Sequence, residues 1–181
     1  MLVELRDVLF TTAWFGLMTM VWCGWAQESP ARGWRVSLGV GSAAGVLLAA
    51  VFGIWTGLSW GEPTALEGRY AGFGIIVGAE LLLAGAGVAV LAFRRQGRWM
   101  AWWVAVVVAA HFLSLSWIFG GWILTALGIV QLGGLIRMFG PLRRTEAPTS
   151  RVVGPWMGAT IFGTALVLGV SALAGLEPVN R

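Results

Sequence analysis

The sequence predicts an all-α, polytopic transmembrane bundle of six spans, and three observations predict it. Hydrophobic residues make up 58% of the 181-residue chain and charged residues 11%, where a soluble domain averages about 25% charged. Six apolar runs reach the roughly 20 residues needed to cross a bilayer core about 30 Å thick. Prolines and arginines gather in the short gaps between those runs. With a mean hydropathy of +0.82, such a chain belongs in a bilayer. That excludes a soluble enzyme, a nucleic-acid reader and a secreted disulfide scaffold. The formal charge of +4 does not revive a nucleic-acid partner, because the basic residues, all Arg, are spread through loops as orientation signals are.

The first span covers 8–26. Ahead of it Glu4 and Asp7 outweigh Arg6, and no small-x-small site precedes Gln27, so cleavage as a signal peptide is not expected. Its Cys23 is the single cysteine and cannot form an intramolecular disulfide; in an apolar run it reads as a small buried hydrophobe. Pro30 marks the gap before the second span, 36–59, and Pro63 the gap before the third, 70–93. Arg94, Arg95 and Arg98 separate the third from the fourth, 99–119. Only Gly120-Gly121 divides the fourth from the fifth, 121–140. One helix over both would be about 63 Å long at about 1.5 Å per residue, twice the bilayer, so a tight hairpin is required. Pro141 and Pro148 fall in the next gap, and Pro178 follows the sixth span, 153–175. Pro155 is expected in the first turn of that span, where a missing N–H is harmless. The longest gap, 141–152, leaves no room for a soluble domain, so 1–181 reads as a single transmembrane domain.

Arginine placement predicts orientation. The 27–35, 94–98 and 141–152 gaps, with Arg137, hold nine Arg; the N-terminus, the 60–69 gap, the Gly-Gly turn and the C-terminus hold Arg6, Arg69 and Arg181. Glu4, Asp7, Glu62, Glu67 and Glu177 reinforce the split on the Arg-poor side, against Glu28 and Glu146 on the other. In a bacterial inner membrane both termini are therefore expected outside. Tryptophans sort with these boundaries as an aromatic belt. Trp22, Trp25, Trp34, Trp99, Trp102, Trp103 and Trp156 fall near the Arg-rich interface, and Trp55, Trp60, Trp117 and Trp122 near the other. Trp14 lies deeper and is a candidate ligand-facing residue. Gly41/Gly45, Gly74/Gly78 and Gly154/Gly158 form small-xxx-small pairs that let helices approach closely. They fit a compact bundle and leave room for a homodimer.

Ionisable groups deep in a membrane are costly and mark function by default. Two lie deep here, Glu80 in the third span and His111, the only histidine, in the fourth; Gln131 in the fifth joins them as a strong hydrogen-bonding group. Glu80 and His111 are nearly equidistant from the 94–98 gap, and His111 and Gln131 from the Gly-Gly turn. In antiparallel hairpins such residues share a depth, so all three are expected near the midplane within about one helical turn. Small residues beside Glu80 (Ala84, Gly87) and Gln131 (Gly128, Gly134) point to close helix contact or a narrow cavity. A midplane Glu–His pair can exchange a proton, the chemistry of a proton-linked carrier. A desolvated Glu beside aromatic surface also suits an organic cation. The alternative is a buried cluster that only fixes helix register. Ser114, Ser116, Thr160 and Thr164 read as hydroxyls bonded back to their own helix.

Catalytic groups for intramembrane chemistry are missing from the sequence. A metalloprotease needs two His at helical spacing with a Glu, an aspartyl dyad needs two intramembrane Asp, and bis-His haem ligation needs a second His. Ser42 could in principle pair with His111, but it lies toward the Arg-rich side without a nucleophile's context. An enzyme is not expected, nor a cofactor or a metal site.

The run His111-Phe112-Leu113-Ser114-Leu115-Ser116, preceded by a helix with a deep Glu80, resembles a loose group of small bacterial integral membrane proteins with a His-Phe-Leu-Pro-Leu-Ala type segment. The likeness covers about spans three to five. Ser114 stands where that segment has proline and Ser116 where it has alanine. The group lends no activity; the resemblance implies only the helix count and draws attention to Glu80 and His111. The functional expectation is a small carrier of a small molecule or organic cation, with Glu80, His111, Gln131 and Trp14 as its binding residues. The alternative is a non-transporting subunit or sensor in which Arg94, Arg95, Arg98, Arg143 and Arg144 dock a partner or anionic lipid.

Overall fold

The computed structural model describes residue 2 and residues 4–175; the expectations resting on Glu177, Pro178 and Arg181 lie outside the described residues. The apolar runs fold as α1 (Leu5–Ala26), α2 (Arg35–Leu58), α3 (Tyr70–Phe93), α4 (Met100–Phe119), α5 (Trp122–Arg143) and α6 (Ser150–Ala174). All six are long and apolar enough to cross a membrane. A single 3-10 turn, Gly97–Trp99, leads into α4. The protein is an all-helical, multi-pass membrane bundle.

Helix ends differ from the expected spans where polar residues extend them. α1 begins at Leu5, which puts Asp7 in its first turn, where a carboxylate is favoured by the exposed N–H groups. α5 runs through Pro141 to Arg143, and α6 starts at Ser150. Pro141 is therefore inside α5, and Pro155 sits in the second turn of α6, not the first. Each removes one ladder bond close to a helix end. The Gly-Gly hairpin forms as required: Gly120 ends α4 at φ 61, ψ 14, a left-handed conformation that suits glycine, and Gly121 is extended.

α1 packs between α2 and α6; α6 also meets α5 and α4; α4 lies between α5 and α3. Glycines set the first of these contacts. A Cβ on Gly45 of α2 would fall 2.9 Å from the Met20 nitrogen, and one on Gly16 would fall 2.7 Å from the Gly45 carbonyl, so α1 and α2 touch backbone to backbone. The Cys23 sulfur fills the gap between Gly41 of α2 and Gly158 of α6, while Gly154 rests on the Trp22 carbonyl and Ala26. Two of the three small-xxx-small pairs thus bring helices together. A Cβ on Gly74 or Gly78 would meet nothing within 4 Å, so neither takes a helix contact. α3 packs appreciably only against α4 and buries none of its residues fully.

Both ends of the bundle are tied by polar contacts. At the end holding the N-terminus, buried Asp7 accepts the Thr64 hydroxyl at 2.6 Å and the Ala65 N–H at 2.7 Å. Arg6 donates to the Trp60 carbonyl at 2.8 Å, and Arg69 donates to the Ile118 carbonyl at the end of α4 at 3.0 Å. The 59–69 segment is thereby strapped across the bundle from α2 to α3. At the opposite end Thr149, fully buried, donates its hydroxyl to the Arg98 carbonyl at 2.8 Å and accepts the Trp102 N–H at 3.2 Å. It precedes α6 yet caps α4. Ser150 donates to the Glu28 carboxylate at 3.0 Å.

Candidate functional site

The seam between α3 and α4 carries the deepest ionisable groups. Among the half-buried positions of α3, Phe73, Val77, Glu80, Ala84, Gly87 and Leu91 recur at alternating steps of four and three, the repeat that keeps one helical face against a partner. Glu80 stands in the middle of that face. Its Oε2 lies 3.4 Å from Nε2 of His111, with the two side chains 17% and 12% exposed. Among the described residues this is the one ion-pair contact. It is longer than the 2.7–2.9 Å or so of a strong charge-assisted hydrogen bond. The His111 Nδ1 has no hydrogen-bond partner.

Contacts on both sides close the seam around the pair. Toward the N-terminal end, Phe73 and Phe119 meet edge to face at 6.2 Å, beyond which Arg69 holds Ile118. Toward the Arg-rich end, Trp103 of α4 donates its indole N–H to the Leu83 carbonyl at 3.0 Å. Its ring occupies the space that a side chain on Gly87 would take. The small residue near Glu80 therefore accommodates an indole and leaves no cavity. These facing pairs are equidistant from the 94–98 loop, so the shared depth read from the sequence holds for Glu80 and His111.

Gln131 goes elsewhere. It is fully buried on α5, but its Nε2 donates to Thr160 of α6 at 3.0 Å, and Trp156 of α6 donates to its backbone carbonyl at 3.4 Å. The Trp156 ring fills the space beside Gly134, while Gly128 packs on the Ala109 carbonyl and Leu113 of α4. Gln131 thus binds α5 to α6 and adds no hydrogen bond to the Glu–His pair. Its Oε1 is buried without a partner. Thr160 is also bonded back to Trp156 at 3.0 Å, as Thr164 is to Thr160 at 2.9 Å and Ser116 to Leu113 at 2.8 Å. The Ser42 hydroxyl has no hydrogen-bond partner and makes no dyad with His111.

Trp14 also stands apart from the pair. It is about half exposed and, with Phe10, Leu17, Gly53 and Trp60, lines an apolar groove between α1 and α2 of about 320 Å³. Of the tryptophans expected near the two interfaces, Trp34, Trp60, Trp117 and Trp122 are exposed, and others turn toward the bundle. Trp22 is buried in the core, and Trp102, Trp103 and Trp156 donate to carbonyls of neighbouring helices. An indole N–H inside a low-dielectric bundle finds its acceptor on the next helix instead of in headgroup water.

The arginines at the far end divide into two kinds. Arg98 is half-buried across the neighbouring segment, donating to the Thr145 carbonyl while its own carbonyl is held by Thr149. Arg94, Arg95, Arg143 and Arg144 are exposed. Thr149 and Thr145 were missed in the sequence, where a Thr-Ser before a helix signals only that helix's own cap. Comparison with protein-family models, with curated proteins and with solved structures finds no match to this chain.

Proposed function

We propose that this membrane bundle is a small proton-linked carrier of a lipophilic or cationic small molecule, acting in a bacterial inner membrane, with Glu80 as the protonatable site and His111 as its proton partner. The observation that carries the reading is the 3.4 Å Glu80–His111 contact on the one face where α3 meets the rest of the bundle. A carboxylate and an imidazole sharing one proton are neutral overall, whether the proton sits on Glu80 or on His111. That state is tolerable in low dielectric, whereas the doubly protonated and fully deprotonated states leave a net buried charge. The two groups titrate as a unit. A cation that replaces the shared proton keeps the site neutral, so binding one releases the other. This is the elementary step of proton–cation exchange. Gln131 joins α5 to α6 and is not assigned to substrate.

The test reconstitutes the chain in liposomes loaded with a pH-sensitive dye and adds tetraphenylphosphonium outside. Wild type is expected to move protons in response. Glu80→Gln, which keeps the shape and removes the titrating proton, is expected to abolish that response with an unchanged thermal unfolding midpoint at its most stable pH. A Glu80→Gln protein that exchanges protons as well as wild type, or a wild type indistinguishable from empty liposomes, overturns the carrier reading.

A further inference from the structure

The loops at the Arg-rich end present a cluster that the bundle does not use. Hydrogen bonds from Thr149 and its hydroxyl to the Arg98 carbonyl, at 2.9 and 2.8 Å, fix the 94–98 loop against the segment before α6. Arg98 reaches the Thr145 carbonyl across the same junction. Arg94 and Arg95 on one loop and Arg143 and Arg144 on the other therefore lie in adjoining segments. All four are exposed, and none has a carboxylate within ion-pair distance among the described residues. At the same end Trp99, Trp102 and Phe139 pack ring to ring at 5.1–6.0 Å; Arg143 lies over the Phe139 ring and Arg98 over the Trp99 ring.

An aromatic cluster of this kind sits at the level of the lipid headgroups. The Arg143 guanidinium that rests on it is at phosphate height, Arg94, Arg95 and Arg144 belong to the same adjoining exposed segments, and planar guanidinium donors match phosphate oxygens in pairs. We infer that Arg94, Arg95, Arg143 and Arg144 form a binding site for the headgroup of an anionic phospholipid. The partner is a membrane lipid, because the cluster is built on the bundle's aromatic rim and not on a projecting domain. Of the five arginines that the sequence made candidates, Arg98 is left out, since it is half-buried and its guanidinium already donates to the Thr145 carbonyl.

The experiment is native mass spectrometry of the detergent-purified full chain, titrated with phosphatidylglycerol and, separately, phosphatidylcholine. Three charge-matched variants are compared: Arg94→Gln/Arg95→Gln, Arg143→Gln/Arg144→Gln, and Arg32→Gln/Arg35→Gln on another loop of the same end. At about 1 kcal/mol per arginine, each of the first two is expected to weaken phosphatidylglycerol binding tenfold or more. The third is expected to change it less than twofold, and phosphatidylcholine to bind weakly throughout. Because all six residues are exposed, unfolding midpoints should match wild type. Equal losses in all three variants would mean diffuse charge and no site, and would overturn the proposal. So would no loss in the first two, or glycerol 1-phosphate competing as well as the lipid, which would make the ligand a soluble phosphate.

Discussion

Replacing Thr149 with Val, Ser and Ala separates the hydroxyl from the methyl group at the joint between two helical hairpins. Thr149 makes three contacts there: its N–H and its hydroxyl both donate to the Arg98 carbonyl, at 2.9 and 2.8 Å, and its oxygen accepts the Trp102 N–H at 3.2 Å. Trp102 is the third residue of α4, so its N–H is one of the donors that a helix start leaves without an internal partner. Thr149→Val preserves the shape and leaves the Arg98 carbonyl one of its two partners, but strands the Trp102 donor against a fully buried side chain. Loss of such a cap costs about 0.5–2 kcal/mol, and a buried unpaired donor about 1–3 kcal/mol. A cost near 2 kcal/mol lowers the unfolding midpoint of a chain this long by about 4–8 °C. Thr149→Ser keeps both hydroxyl contacts and loses one methyl group, about 0.8 kcal/mol. Thr149→Ala loses both hydroxyl contacts and the methyl group, keeps only the backbone N–H bond to Arg98, and should be lowest. The assay is thermal unfolding in one detergent followed by tryptophan fluorescence. If Ser proves as damaging as Val, the methyl group holds the joint and the capping argument fails.

The same assay tests two other joints. Asp7→Asn leaves one acceptor oxygen where Thr64 and Ala65 require two, and is expected to cost about 1–3 kcal/mol with faster hydrogen exchange confined to 60–69. A uniform rise in exchange across the bundle would mean that Asp7 supports more than the strap. Gly45→Ala drives a Cβ into the backbone of α1 and is expected to cost about 1–3 kcal/mol. Gly74→Ala, with open space around it, should be neutral or stabilising by up to about 1 kcal/mol through helix propensity. Equal effects at the two glycines would refute the assignment of Gly45 to the helix contact.

Length and apolar composition carried the fold. Each span is an apolar run whose ends are set by proline, glycine or arginine, and those signals are local. The Gly120-Gly121 turn was legible because the alternative, a helix twice the bilayer, is physically inadmissible. Helix ends were less legible, because Pro141 and Pro155 are tolerated inside a helix when the bond they remove lies close to its end. Neighbour choice was hidden. A Gly-xxx-Gly pair says that a close approach is possible and not whether another helix takes it, which is why Gly41/Gly45 pack and Gly74/Gly78 do not. Thr149 was illegible for the same reason, since the helix it caps is not the one it precedes.

The polar layer divides along the same line. Distance from a turn fixes depth, because antiparallel helices rise equally, but rotation about each axis is set by all the contacts of that helix. α3 has one substantial neighbour, so the only polar residue on its deep face must meet α4 or face lipid, and the cost of a lipid-facing carboxylate decides it. Glu80 therefore had one destination. α5 has two neighbours, α4 and α6, and Gln131 could have faced either. Gly128 lets α4 come close on one side, and Gly134 admits the Trp156 indole on the other; the second side also offers Thr160 as an acceptor. A peripheral helix makes its buried charge predictable, and a central helix does not. The same geometry bears on function. A side chain held by one partner helix can shift without repacking the core, whereas Gln131, locked between two helices, cannot.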